Sequence, residues 1–336
     1  MPLPIAIDAM GGDHAPAAVI AGARRAVDEL GIEVVLVGIP ERLGDVGDLP
    51  VVACTEEIAM GDDPAASVRT KKDSSLVRAA ELVRDGRAGA MVSAGNTGAT
   101  MAAALLRMGR LSGVARPCIA LPIPRPGHTP AILVDAGANA ECTPEMLVQF
   151  ATMAASFVSA HHGVAEPTVG LLSIGEESSK GTPLVKGTHE LLARSGLRFV
   201  GNVEGRDLIP SPVDVVVTDG FTGNVALKTL EGALRFVFGA LIEAAGVDDE
   251  SRAAGAVLWR TLGPTVASLT PESQGGAVLL GLKGICVISH GSSNDTAVRN
   301  AVRVAAEMRD ADVVGRLRAA IAALVAPDTK APSAER

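Results

Sequence analysis

Val213-Asp214-Val215-Val216-Val217-Thr218-Asp219-Gly220-Phe221-Thr222-Gly223-Asn224-Val225 decides the fold. The run Val213–Thr218 is β-branched almost throughout and too short for a helix, so it reads as a strand apolar on both faces, as buried parallel strands are. Asp219 stands where a helix wants a capping oxygen, and two glycines let the backbone turn before a helical pattern resumes.

The same strand, turn and helix recur along the chain. Strands are predicted at Pro4–Ala9, Glu33–Gly38, Ala88–Ser93, Cys118–Pro122, Ala131–Asp135, Thr168–Ser173 and Ile285–Ser289. Helices are predicted at Ala15–Leu30, Asp73–Asp85, Thr97–Met108, Thr143–His161, Pro183–Arg194 and Ser293–Met308. This alternation predicts an α/β fold, a mainly parallel sheet with helices on both faces. Ligands of such sheets sit outside the carboxyl ends of strands, so the strand-to-helix loops are expected to gather at one sheet edge.

No linker divides the chain, and one domain is expected over residues 1–326, with a disordered tail at 327–336. The segment from about 230 to 270 departs from the alternation, because it reads as two helices without a strand. Leu234, Val237, Phe238, Leu241, Ile242 and Ala245 follow the spacing of one helical face. Phe236, Phe238 and Trp259 gather there in a chain with 2% aromatics. A core-packed hairpin, a dimer interface and a membrane-contacting tip near Leu258, Trp259 and Leu262 all remain open.

With 336 residues and 48% hydrophobic content the chain can bury a large aliphatic core. Glycine supplies 37 residues, above the average usage of about 7%. A net charge of −8, with no basic run longer than two, disfavours nucleic acid as a partner. Cys54, Cys118, Cys142 and Cys286 form no CxxC pair, which fits thiols in a reducing compartment. No apolar stretch approaches the roughly 18 residues of a spanning helix, so the chain reads as soluble and intracellular.

Five loops could carry chemistry. In Asp8-Ala9-Met10-Gly11-Gly12-Asp13-His14, Asp8 or His14 either faces a substrate or merely shapes the turn. In Ser93-Ala94-Gly95-Asn96-Thr97-Gly98, backbone N–H groups open a helix and favour an anion. Asp135-Ala136-Gly137-Ala138-Asn139 offers an acid and an amide, for capping or for binding. Ser173–Gly181 carries Lys180 before the helix-opening Pro183, well placed for an anion, and Asn224 follows Asp219, Thr222 and Gly223 in the fifth loop. There is no GxSxG, P-loop or HExxH pattern, and no His/Asp cluster at metal-ligand spacing.

These loops, in this order, resemble the bacterial phosphate acyltransferase family of phospholipid synthesis. The matching stretches include Asp8–Asp13, Arg69–Ser75, Ser93–Gly98, Asp135–Asn139, Gly175–Gly181, Gly201–Gly205, Thr218–Asn224, Leu280–Gly284 and His290–Ser293. The resemblance implies transfer of a fatty acyl group from acyl carrier protein to inorganic phosphate, giving acyl phosphate. The coenzyme A-dependent phosphate acetyl- and butyryltransferases, and a non-catalytic scaffold that binds the carrier, are the alternatives. It also implies a homodimer, no metal or cofactor, a cytoplasmic location and loose membrane association.

The implied fold is a three-layer α/β/α sandwich like that of isocitrate and isopropylmalate dehydrogenases, with a protruding helical hairpin. Lys180 and Asn224 are the implied catalytic pair. Asp8, Gly11, Gly12, His14, Ser93, Gly95, Asn96, Thr97, Asp135, Asn139, Asp219, Thr222 and Gly223 are candidate substrate contacts. An acidic chain needs a local basic patch to dock an acidic carrier, and Arg69, Lys71, Lys72 and Arg78 form the densest one. Gln274 and Val278 depart from the family pattern around Gly275-Gly276.

Overall fold

The computed structural model describes residues 2–125, 127–268 and 271–326. The tail read at 327–336 lies outside them. The chain opens with β1 (Ile5–Asp8), α1 (Ala17–Leu30), β2 (Val34–Gly38), α2 (Pro40–Leu43), β3 (Val51–Ala53) and α3 (Pro64–Thr70). It continues with α4 (Ser75–Arg84), β4 (Ala90–Ser93), α5 (Thr97–Met108), β5 (Cys118–Ile123), β6 (Ala131–Val134) and α6 (Pro144–His162). Next come β7 (Thr168–Ser173), α7 (Pro183–Leu192), β8 (Arg198–Glu204), β9 (Val215–Val217) and α8 (Gly220–Ala245). The last elements are α9 (Asp249–Ser268), α10 (Pro271–Gln274), β10 (Ala277–Leu280), β11 (Ile285–Ile288), α11 (Asp295–Asp310) and α12 (Val313–Val325).

Among the described residues all the strands join one sheet in the order β3-β2-β1-β4-β11-β10-β5-β6-β9-β7-β8. Seven strand pairs are parallel. Three are antiparallel: β10 with β11, β10 with β5, and β5 with β6. The fold is therefore α/β with a mainly parallel sheet, as expected.

Alternation along the strands builds three layers. Ile5, Ile7, Val92, Ile132, Val134 and Val217 face one side and pack with α1, α6, α11 and α12. On α6, Leu147, Phe150 and Met153 are fully buried there, each contributing about 1.5–3 kcal/mol. Ala6, Met91, Ile119 and Ile288 face the other side under α3, α4 and α5. Ile123, Leu133 and Val216 continue that second face under α8.

The helical hairpin exists as α8 and α9, but its apolar residues do not enter this chain's core. Phe236 is 76% exposed, Val237, Leu241 and Ile242 are exposed as well, and so is Trp259. The hairpin protrudes, as the fold reading expects, and of the three readings left open for its apolar face the core-packed one is excluded. Among the described residues no helix is long and apolar enough to cross a membrane.

Candidate active site

The loops do not meet at one edge. Strands β1, β4 and β11 run one way, and three successive antiparallel pairings reverse the sense at β6, β9 and β7. The turns after Asp8, Ser93 and Ile288 therefore lie at one edge. Those after Val134, Val217 and Ser173 lie at the opposite edge. Expected convergence at one edge is corrected by this reversal.

At the first edge most candidate side chains hold the loops to one another. Asp8 accepts hydrogen bonds from Met10 N (3.2 Å) and Ser93 Oγ (2.8 Å), and Ser93 Oγ accepts from Gly95 N. Burial pushes the Asp8 carboxyl up, against the hydroxyls of Ser75 and Ser93 and two backbone amides. A Cβ on Gly11 would stand 2.7 Å from Gly95 N, so the two loops touch backbone to backbone. Gly12 likewise packs against Ala94 and Gly291 at a φ of +114°. Asn96 caps α5 through Ala99 N and donates to Met60 O. His14 is exposed and lines none of the cavities described below.

At the second edge Asp135 is fully buried and saturated. It accepts from Ile119 N, Gly137 N, Ala138 N, Asn139 N and Asn139 Nδ2, all within 3.2 Å. Burial raises its pKa and those donors lower it. With its oxygens so occupied, it organises the loop and has no lone pair left for a substrate proton. Asn139 Nδ2 also donates to Pro117 O. A Cβ on Gly223 would fall within 1.9 Å of Asp135 O, so only glycine fits where α8 crosses this loop. Asp219 caps α8 by accepting from Thr222 N and Thr222 Oγ1, which occupies both residues.

Lys180 lies at this same edge, on the loop after β7, the strand next to β9. Asn202 Nδ2 pins that loop by donating to Gly175 O and Glu177 O. Lys180 itself is exposed and lines neither of the cavities described next.

What joins the two edges is a cavity of about 530 Å³ on the second face of the sheet, in the gap between α5 and α8. Its floor is Ile119, Leu121, Ala277 and Ile288, where the strand direction reverses. The first edge contributes Thr97 and Gly98, opening α5, together with Ser289, His290 and Ser293. The second contributes the Ala136–Ala138 turn and Asn224. Of the predicted contacts, Thr97 and Asn224 therefore share one cavity. A larger depression of about 750 Å³ beside β2 is bordered by Arg24, Asp45 and Arg87 and holds none of the loop residues.

The donors in this cavity suit an anion. Thr97 N and Gly98 N open α5 and have no intrahelical partner, and the positive end of the helix adds to them. Asn224 Nδ2 gives one bond to Ala136 O at 3.3 Å, which leaves its second N–H available. His290 Nδ1 lies 2.8 Å from Ser292 Oγ and 3.3 Å from Ser292 N, so the ring is held by its Nδ1 side and Nε2 is the nitrogen left for a ligand.

Sequence reading missed the cavity's cation. Lys228, one helical turn beyond Asn224, lines the cavity and pairs with Glu231 at 2.9 Å. The 224, 228, 231 spacing is the signal that could have found both.

The basic patch is weaker than expected. Lys71 is tied to Asp62 at 2.6 Å and to Glu57 O, and Arg78 to Asp73 at 2.6 Å. Arg69 and Lys72 remain exposed beside them. Gln274 borders the space under α8, and Val278 pairs with Ala120 and Val287 inside the sheet. No group of three or more His, Cys, Asp or Glu among the described residues is placed to hold a metal ion.

Comparison with known proteins places this architecture. The family described as "Fatty acid synthesis protein" matches residues 3–316. A phosphate acyltransferase of Elusimicrobium minutum is 48% identical over 328 residues, 95% of this chain and 96% of that protein. One of Leptospira biflexa is 46% identical over 324 residues, 94% of this chain and 95% of that protein. A phosphotransacetylase from Streptococcus pyogenes superposes with TM-score 0.61 at 16% identity, over 93% of this chain and 94% of that one. A putative 4-hydroxythreonine-4-phosphate dehydrogenase from Salmonella typhimurium gives 0.53 at 13% identity, over 92% and 100%. The last two likenesses speak to the fold alone.

Proposed function

The chain belongs to the fatty acid synthesis protein family, and on that premise we propose that this enzyme moves a fatty acyl group from acyl carrier protein to inorganic phosphate. The observation that carries the reading is the one cavity lined together by Thr97 and Gly98 at the opening of α5, by Asn224, by Lys228 and by His290.

The chemistry asks little else of the protein. Phosphate is an anion at neutral pH and attacks the thioester carbonyl carbon through one oxygen. A tetrahedral oxyanion forms and collapses with cleavage of the C–S bond, giving acyl phosphate and the carrier thiolate. A thiol of pKa about 8.5 leaves without strong acid assistance. The enzyme must align two reactants, worth roughly 7–11 kcal/mol, and stabilise the oxyanion, worth roughly 3–4 kcal/mol per donor. No activated serine or cysteine is required.

Thr97 N, Gly98 N, His290 Nε2 and Lys228 Nζ hold phosphate in this account, and Asn224 Nδ2 donates to the developing oxyanion. Lys180 acts from the neighbouring loop as the second member of the catalytic pair. Asp8, Ser93, Asp135, Asn139, Asp219 and the loop glycines act by fixing these groups in place. A homodimer, contact of the hairpin near Trp259 with a membrane surface on the cytoplasmic side, and carrier docking at Arg69 and Lys72 complete the proposal.

Incubating the protein with acyl carrier thioester or acyl-coenzyme A, with and without phosphate, tests it. Phosphate-dependent thiol release, a product trapped by hydroxylamine, and preference for the carrier are expected. Thiol release independent of phosphate would make the protein a thioesterase and end the proposal.

A further inference from the structure

A second cavity, of about 330 Å³, opens beside the first beneath α8, and no role has been given to it. Its roof is one stripe of α8, made of Leu227, Leu230, Leu234 and Phe238 at helical spacing. Its floor is the edge of β5 at Leu121 and Ile123. Its size falls in the range of small-molecule sites.

Three features say what fills it. Leu121, Leu227, Glu231, Gly276 and His290 belong to both cavities, so the apolar space is continuous with the polar one. Its roof residues are only partly buried, so their apolar surface awaits a partner. Asn224 and Phe238 are 14 residues apart on one helix, or roughly 20 Å. A ligand held at Asn224 by a polar head can therefore run an extended apolar tail along α8 to Phe238.

The geometry points to this groove as the subsite for the fatty acyl chain, with Leu230 and Phe238 setting the preferred chain length. The inference rests on the proposed acyl transfer. Glu231 and His290 stand where the two cavities join, so the thioester carbonyl sits at the polar end and the terminal methyl under Phe238. Each buried methylene then strengthens binding by about fourfold.

Leu230→Trp tests it by placing an indole in the groove. With carrier thioesters of butanoate and hexadecanoate, the ratio of kcat/KM for the long over the short chain is expected to fall about 10–100-fold, the loss of two to three methylene contacts. Phe238→Ala, at the far end, is expected to move the optimum toward longer chains, and it serves alone if Leu230→Trp fails to fold. An unchanged ratio in both variants overturns the subsite. So does an unchanged ratio accompanied by a shift in sedimentation, which would make the groove a contact between two copies. If wild-type protein gives no phosphate-dependent thiol release with either chain, the acyl-transfer reading fails instead, and the two failures are told apart.

Discussion

Asn224→Ala is expected to lower kcat by about 10²–10³-fold, the usual loss when one oxyanion donor is removed. The side chain is exposed on α8, and its one hydrogen bond within the protein is the 3.3 Å contact to Ala136 O. Losing that contact costs roughly 0.5–1.5 kcal/mol at most, so the thermal melt should stay close to wild type. The diagnostic is where the loss falls. An interaction made only in the transition state lowers kcat and kcat/KM together, whereas a ground-state contact would appear in KM alone. An active variant with normal kcat would remove Asn224 from the chemistry.

Lysine replacement comes next in size. Lys228→Ala removes the cation that lines the cavity and leaves the Glu231 carboxylate facing it. A lost charge-assisted bond, about 1.5–3 kcal/mol, becomes about a 10–100-fold rise in the KM for phosphate. On the role proposed for Lys180 as the second catalytic group, Lys180→Ala is expected to lower kcat over a similar range with little change in the KM for phosphate. Titrating both variants with phosphate separates them. Loss confined to Lys180→Ala would shift phosphate binding to the loop after β7, whereas loss confined to Lys228→Ala would leave Asn224 without its proposed partner.

Much of this was readable in the residues, and what was not has a physical reason. Strand, turn and helix at Val213–Val225 are written locally, in β-branched residues, a capping Asp and a helical stripe, and the structure reproduces them as β9 and α8. The direction in which a strand enters a sheet is not local. It depends here on the antiparallel pairing of β5 with β6, because β10 lies antiparallel to both β11 and β5 and so leaves those two running the same way. Both strands are legible at Cys118–Pro122 and Ala131–Asp135, but nothing in them says that they pair antiparallel, and with that sense goes the reversal that separates the loop clusters.

The loop acids were ambiguous for a similar reason. Nothing in Asp135-Ala136-Gly137-Ala138-Asn139 says that Ile119 N, from a different strand, will occupy the carboxylate. Lys228 was legible in principle, one turn beyond Asn224, yet a lysine on a long helix looks like any solvated side chain until the opposite wall is known.

The central claim is that phosphate binds in the gap between α5 and α8. A crystal of the protein soaked in inorganic phosphate tests it directly. The account predicts an anion within hydrogen-bonding distance of the Thr97 and Gly98 amides and of Lys228 Nζ. An anion seated instead on the Ser173–Gly181 loop beside Lys180, with none between α5 and α8, would contradict it.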